Sequence, residues 1–151
     1  MIDIGVNLTN ARFEKDRSEV LARAKQTNIS AMLVTGTNVE ESKKAIALCQ
    51  HYPDYLYSTV GIHPHEADNA PTNFQAQLAD LAKNSCVKAI GECGLDFNRN
   101  FSSEANQKDV FTKQVLLAEQ LQLPLFLHQR DAFEPWFEIL KPHLATIPAM
   151  V

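Results

Sequence analysis

One carboxylate and two imidazoles stand at the ends of short apolar segments that have the length and composition of buried strands. Glu92 lies in the stretch KAIGECGLD, between Gly91 and Gly94. His63 follows the run YLYSTVGI, and His128 follows LPLFL. Imidazoles and carboxylates at neighbouring strand ends are a common nitrogen and oxygen ligand set for a divalent metal. The three side chains are therefore candidates for a metal site.

Each of these candidates also has a purely structural interpretation. Glu92 could be a solvated carboxylate in a turn, although the flanking glycines favour close approach of another group to the backbone. A lone histidine after an apolar strand, such as His128, is more often a hydrogen-bonded structural residue. His63 and His65 flank Pro64, which fixes φ and favours a sharp turn. We therefore expect only one of the two rings, that of His63, to face the site.

Further polar residues lie at the same predicted strand ends. Arg130 follows His128 closely and could bind a phosphate group, or could form a charge pair with Asp131 at the start of a helix. On the first predicted strand, Asp3, Gly5 and Asn7 recur at every second position and so share one face. We expect Asn7 to be a polar residue at the mouth of the fold, and Trp136 and Phe137 to belong to the core.

These candidates are positioned by five predicted strand-helix units of similar size. Strands that alternate with helices of this length indicate a parallel sheet, either an open doubly wound sheet or a (β/α)8 barrel. No G-x-G-x-x-G follows the first strand, which disfavours a dinucleotide-binding fold. In both folds, functional groups lie at the carboxyl ends of strands. The predicted strands are 2–8, 31–35, 55–62, 87–92 and 124–127, and the predicted helices are 12–27, 39–51 (capped by Asn38), 71–84, 102 or 103–121 and 132–140.

The length of the chain corresponds to part of a barrel. An eight-stranded barrel of this kind needs about 250 residues, and five units in 151 residues are about five-eighths of that. The segment ATIPAMV at 145–151 resembles the start of a sixth strand. We expect residues 1–151 to form a single domain that is the incomplete, N-terminal part of a barrel.

The composition of the chain indicates the cellular environment and the charge with which such a protein works. The chain is 45% hydrophobic and 21% charged, with three cysteines and a formal net charge of −4. It contains no apolar run of membrane-spanning length and no signal-peptide pattern, so we expect a soluble cytoplasmic protein with reduced thiols. Because no basic cluster attracts nucleic acid, metal ions would have to supply positive charge if the substrate were a phosphodiester.

Three motifs carry a specific resemblance. The segments GIHPHEA, GECGLDFNRN and LHQRDA, in this order and spacing, resemble the TatD family of metal-dependent deoxyribonucleases over essentially the whole chain. The resemblance implies a (β/α)8 barrel hydrolase that cleaves phosphodiester bonds with a metal-activated water. It also implies 3′ to 5′ exonuclease action on single-stranded DNA. Magnesium is the expected ion, with zinc and manganese as alternatives.

The resemblance also implies roles for individual residues. Glu92 matches the family's metal-bridging carboxylate, His128 its histidine after the fifth strand, and His63 its His-Pro at the third strand end. We assign catalysis and metal binding to these three, and substrate binding to Arg130, Asn7 and His65. The His-x-His pair that most of the family carries on the first strand is replaced by Gly5 and Asn7. A later His and an Asp of the family pattern have no counterpart in the 151 residues.

Two other functions remain open at this point. Five strand-helix units would leave two open sheet edges and an uncovered apolar interior, and the chain could be an inactive half-barrel that self-associates. Alternatively, the same kind of site could act as an amidohydrolase on a small amide or ester. The nuclease hypothesis predicts single-stranded DNA as a partner, and the half-barrel hypothesis predicts a second copy of the chain.

Overall fold

Five parallel strands form one sheet in the computed structural model, which describes residues 1–151. The strand order follows the chain without interruption, and each neighbouring pair is parallel. A doubly wound sheet would reverse its strand order at a switch point, so this order identifies the barrel type of fold. The strands are β1 (Ile2–Val6), β2 (Ala31–Val34), β3 (Leu56–Val60), β4 (Val87–Asp96) and β5 (Leu125–Arg130).

A helix follows each strand, as the sequence predicts. Asn38 caps α2, because its side chain accepts a hydrogen bond from the Glu41 amide at 2.9 Å. Ser103, not Ser102, caps α4 by accepting from the Asn106 amide. The helices are α1 (Arg17–Gln26), α2 (Val39–His51), α3 (Phe74–Leu81), α4 (Glu104–Leu121) and α5 (Phe133–Leu140), with short 3-10 turns at Ala11–Phe13, Pro64–Asn69 and Lys141–His143.

Several predicted boundaries are wrong, and the error in β4 matters most. The strand does not end at Glu92 but continues to Asp96, with a shift of register between Gly91 and Cys93. Gly91 and Gly94 have φ of 138° and 149°, and a side chain on Gly94 would overlap the carbonyl of His128. The glycines therefore do not end the strand but let its backbone lie close against β5, which itself runs past the predicted end to Arg130.

The helix boundaries differ for local reasons. The predicted helix 12–27 is divided, because a 3-10 turn precedes α1. The helix predicted from Pro71 begins at Phe74, whose amide donates to the Pro71 carbonyl at 2.9 Å within the preceding turn. Neither difference moves a predicted site residue.

Two hydrophobic clusters lie between the sheet and its helices. The larger contains 20 buried residues, among them Leu95 and Phe111, and all but two of the 20, which lie on α2, come from β3 onward. The smaller contains 8, from α1, α2, β2, the segment after β1 and the start of β3. Trp136 only packs against the larger cluster, and Phe137 stacks on the exposed Phe133, so the prediction that both belong to the core is not met.

The residues after α5 begin to pair with β5, as the predicted sixth strand would. Leu125 and Met150 form a parallel bridge, and Leu127 donates to the carbonyl of Val151 at 2.8 Å. The other face of the sheet is concave and carries apolar side chains, of which Ile4 is 47% exposed. No helix combines the length and hydrophobicity that crossing a bilayer would require.

Candidate metal centre

Three neighbouring strands bring the predicted ligands together. His63 follows β3, Glu92 lies within β4, and His128 lies within β5. The Glu92 amide donates to the carbonyl of Gly36 at 3.0 Å, which fixes the backbone beside β2. One potential ligand atom from each of His63, Glu92 and His128 lies within 4.8 Å of the others. We call these three residues the His-Glu-His cluster.

The cluster is compact and mostly shielded from solvent. Glu92 Oε1 lies 3.1 Å from His128 Nδ1 and 3.8 Å from His63 Nε2. The ring centroids of His63 and His128 are 4.7 Å apart. The three side chains are between 12% and 23% exposed, so solvent reaches the cluster but does not surround it.

His65 also reaches the site, contrary to the expectation that only His63 would face it. The 3-10 turn that starts at Pro64 folds the chain back, and the His65 amide donates to His63 Nδ1 at 3.2 Å. The two rings meet edge to face with centroids 4.4 Å apart. An extended chain would place the two rings on one face but about 7 Å apart, so it is the turn that brings them into contact.

Asp96 is the site residue that sequence reasoning missed. Its side chain is only 1% exposed, and Oδ2 accepts a hydrogen bond from His65 Nε2 at 2.7 Å. The same oxygen lies 3.4 Å from His128 Nε2. Residues two apart on a strand share a face, so Glu92, Gly94 and Asp96 form one row. This two-residue repeat would have placed Asp96 in the site if β4 had been predicted to continue past Glu92.

The charge states of these groups suit metal binding. Burial opposes ionisation of Glu92, but the hydrogen bond from His128 and the nearby imidazoles hold its pKa below the ordinary value. Asp96 likewise has a strongly lowered pKa, because hydrogen bonds from the Arg99 amide, His65 and the Asn98 amide outweigh its burial. Burial lowers the pKa of His63 to about 4, whereas the hydrogen bond to Glu92 raises that of His128. At neutral pH the site therefore holds two carboxylates and a neutral His63.

One buried atom indicates that these residues fit a metal ion. His128 Nε2 is buried and has no hydrogen-bond partner, since its approach to Asp96 lacks hydrogen-bond geometry. Two imidazoles and one carboxylate are a donor set that divalent ions accept. A buried carboxylate that touches the ring of a ligand histidine is the usual outer-shell partner of such sites. Asp96 holds His65 in this way, and its Oδ2 lies 3.4 Å from the unpartnered His128 Nε2.

The predicted substrate-binding residues are divided between two places. Asn7 and His65 line the same cleft of about 300 Å³ as His63 and Glu92. Arg130 lies at the end of β5, exposed, in register with Asp96. Beside the cleft, a larger polar cavity of about 610 Å³ extends over the ends of β1 and β2 and shares Asn7 with it. The cluster therefore lies at one end of a continuous polar surface.

Comparison with known proteins decides the family. The family model described as "TatD related DNase" matches residues 2–150 of the chain. The chain belongs to the TatD-related DNase family. Membership agrees with the resemblance of the three sequence motifs, whose residues His63, Glu92 and His128 lie together in one cluster of the structure.

Curated TatD relatives resemble the whole of this chain but are longer. The "3'-5' ssDNA/RNA exonuclease TatD" of Pectobacterium parmentieri is 50% identical over 151 residues, and that of Yersinia pseudotuberculosis is 49% identical. Each match covers 100% of this chain and 58% of the relative. The chain thus spans little more than half the length of the relatives that it matches.

Solved TatD-family structures confirm the predicted fold. A hydrolase TatD family protein from Entamoeba histolytica superposes with a TM-score of 0.85 at 28% identity, over 94% of this chain and 54% of that one. The TatD homologue YJJV from Escherichia coli gives a TM-score of 0.85 at 29% identity, over 95% and 56%. The five parallel strands are therefore the barrel-type arrangement of this family.

Proposed function

We propose that this chain contributes the active site of a metal-dependent hydrolase that cleaves phosphodiester bonds of single-stranded DNA, working from the 3′ end. The observation that carries the proposal is the convergence of His63, Glu92 and His128 within 4.8 Å in a member of the TatD-related DNase family. The printed names of the relatives, 3'-5' ssDNA/RNA exonucleases, support the same substrate class.

In this proposal the His-Glu-His cluster holds a divalent cation. Such an ion supplies Lewis-acid polarisation of a phosphate oxygen and lowers the pKa of a bound water. Glu92 contributes a negative charge, and His63 is neutral at pH 7, so its ring carries no positive charge that would repel the cation. Asp96 is a positioning residue, because its buried carboxylate fixes the ring of His65 and lies beside that of His128.

Magnesium is the working ion that we propose. A set of two imidazoles and one carboxylate favours Mn²⁺ and Zn²⁺ in affinity, since magnesium prefers oxygen ligands. Magnesium would therefore bind more weakly than the other two and act by its abundance. Isothermal titration of the chain with each ion would show the order Zn²⁺, Mn²⁺, Mg²⁺ if this ligand set is correct.

Substrate contacts follow from the surface around the cluster. Arg130 would pair with a backbone phosphate, since a guanidinium offers two parallel donors to phosphate oxygens. Asn7 and His65 line the cleft beside Glu92 and would hydrogen-bond to the terminal nucleotide. Because the net charge of the chain is −4, these contacts and the cation would supply most of the attraction to DNA.

The decisive experiment measures nucleotide release from the 3′ end of a 5′-labelled single-stranded oligonucleotide with Mg²⁺. Glu92→Gln keeps the size of the side chain but removes its charge, and we expect a rate at least about 100-fold lower, the upper end of the loss seen when only an outer-shell partner of a metal is changed. Glu40→Gln, on the exposed face of α2 where Glu40 pairs with Lys43, is the matched control and should leave the rate unchanged. Equal rates for Glu92→Gln and the unaltered chain would remove Glu92 from the mechanism. Hydrolysis of small amides or esters in place of DNA would favour the amidohydrolase alternative.

We further propose that a second copy of the chain covers the concave face of the sheet. Ile4, Leu33, Ala89 and Phe126 line an apolar pocket of about 150 Å³ there, and Ile4 is 47% exposed. Contiguous apolar surface of this kind favours association. Analytical ultracentrifugation should show a dimer that dissociates on dilution, and a monomer at every concentration would contradict this proposal.

The free cysteines also support a reducing compartment, the cytoplasm.

A further inference from the structure

An exposed aromatic ring stands directly against the site. Phe101 follows β4 in the loop that leads to α4, and it is 65% exposed. We infer that Phe101 is a stacking platform for a nucleobase of the substrate, next to the His-Glu-His cluster. This inference rests on the proposed function and deepens it, because it assigns to one residue the recognition of a base rather than of a phosphate.

The ring of Phe101 contacts one histidine, which in turn lies against the cluster. Its centroid lies 4.8 Å from that of His65, edge to face at 89°. His65 in turn lies 4.4 Å from His63 and 6.2 Å from His128, measured between ring centroids. A base stacked on Phe101 would therefore lie within one nucleotide of the metal ligands.

The loop before Phe101 is fixed by the same carboxylate that fixes His65. Asp96 Oδ1 accepts hydrogen bonds from the amides of Asn98 and Arg99 at 3.1 and 3.0 Å. The side chain of Asn100 donates to the carbonyl of Phe97 at 3.1 Å. The loop therefore follows a defined path out of β4 up to the aromatic residue.

The residue after Phe101 is fixed as firmly. Ser102 is 2% exposed, and its hydroxyl donates to the carbonyl of His65 at 2.9 Å. The buried Gln107 side chain donates to the carbonyl of Ser102 at 2.8 Å. Phe101 is thus an exposed ring between two anchored ends, and a preorganised ring loses little entropy when a base stacks on it.

Two exposed arginines, Arg99 and Arg130, lie on the segments that hold this loop. Arg99 in the same loop is exposed, and the Phe97 amide donates to the carbonyl of the exposed Arg130 at 3.0 Å, which joins the loop to the end of β5. Surfaces that bind single-stranded nucleic acid combine aromatic platforms with basic residues that follow the backbone. Stacking on an aromatic ring accepts any base, so the platform fits an exonuclease that must process every sequence.

The test measures the affinity of the full chain for a short labelled single-stranded DNA by fluorescence anisotropy, with Mg²⁺ present and with a phosphorothioate linkage at the 3′ end so that hydrolysis is slow. Two oligonucleotides are compared, one with a complete 3′ nucleotide and one with an abasic 3′ end. We expect Phe101→Ala to weaken binding of the complete strand about tenfold, from the usual strength of a base-aromatic stack. Binding of the abasic strand should change little.

Two further variants separate stacking from structure. Phe101→Trp keeps an aromatic surface and should retain the affinity, whereas Phe101→Leu keeps only packing against His65 and should behave like Phe101→Ala. Phe133→Ala is the matched control, because Phe133 is 57% exposed but stacks on Trp136 and Phe137 instead of a site histidine. That control should leave the affinity unchanged.

The outcomes separate this inference from the proposed function. Equal affinity of the unaltered chain and Phe101→Ala for the complete strand overturns the platform, and so does an equal loss for both strands or an equal loss in Phe133→Ala. If Glu92→Gln still abolishes cleavage in any of these cases, the nuclease proposal stands without the platform. If the unaltered chain neither binds nor cleaves DNA, both proposals fail.

Discussion

The two halves of the sheet contribute to the site in different ways. Strands β3 to β5 are backed by a cluster of 20 buried residues, and they carry His63, Glu92, Asp96 and His128. Strands β1 and β2 are backed by a cluster of 8, and their ends contribute Asn7 and the wall of the larger polar cavity. The proposed metal ligands would need positions fixed to a fraction of an ångström, and they lie on the half that is packed more extensively.

The glycines show the same difference between the halves. Gly94 on β4 faces the backbone of His128, which cannot move without disturbing the pairing of β4 with β5. Gly5 on β1 faces only the ring tip of Phe126, 3.2 Å from where a Cβ would lie. Glycine is therefore required at position 94, beside the proposed ligands, and is less strictly required at position 5 on the edge strand.

The largest effect that we expect is on folding and comes from Gly94→Ala. An added methyl group would overlap a backbone carbonyl at φ of 149°, so the free energy of unfolding should fall by about 4 kcal/mol or more. Gly5→Ala, with φ of 82° and a movable side chain as its neighbour, should cost about 1–2 kcal/mol. Urea unfolding of both variants measures the difference. Similar losses for the two would show that the halves constrain their backbones equally.

The sequence was sufficient to predict the architecture, but it was not sufficient to predict every residue inside the site. Alternating strand and helix patterns predicted five units and a parallel sheet, and motif residues pointed to Glu92, His63 and His128. The continuation of β4 could not be predicted, because glycine is usually a strand breaker and its use here depends on the distance to β5. Asp96 was missed for that reason. His65 was misplaced because the 3-10 turn at Pro64–Asn69 depends on Ser102 and Asp96, which are distant in sequence.

A smaller effect is expected from Asp96→Asn, which tests whether the well-packed half depends on a charge. The pKa of Asp96 in the folded chain lies below its ordinary value of 3.8, so its ionised form stabilises the fold. That stabilisation is complete above about pH 4 and is lost as the pH falls further, because the unfolded chain takes up the proton first. At pH 7 without metal, Asp96→Asn should lose about 2 kcal/mol, the usual strength of hydrogen bonds to a charged group.

Urea unfolding at pH 7, 5 and 3 measures this dependence. The difference between the unaltered chain and Asp96→Asn should grow from pH 7 to 5, because the Asp96 carboxylate helps to raise the pKa of His128 and so stabilises its protonated ring, and it should be smaller at pH 3. Asp80→Asn is the control, since Asp80 is exposed on α3 beside Lys83 and its replacement should change stability little. A difference that does not vary with pH would mean that Asp96 contributes by its shape and not by its charge.

The smallest effect compares the two halves through their buried thiols. Cys49 belongs to the smaller cluster and Cys93 to the larger, and both are 0–2% exposed. Burial raises the pKa of Cys49 to about 12 and that of Cys93 still further above its ordinary value. Neither thiol should therefore react in the folded state at pH 8, and labelling will follow local opening.

Because fewer buried contacts hold the smaller cluster, it should open more often, and Cys49 should be labelled severalfold faster than Cys93. Variants that retain one buried cysteine each, made on a Cys86→Ala background because Cys86 is only partly buried, allow the two rates to be measured separately with a thiol reagent. Faster labelling of Cys93 would contradict this expectation and would mean that the half of the sheet with the proposed metal ligands is the more mobile one. Equal rates, matching that of global unfolding, would mean that the five strands open as one unit and that the difference in packing has no dynamic consequence.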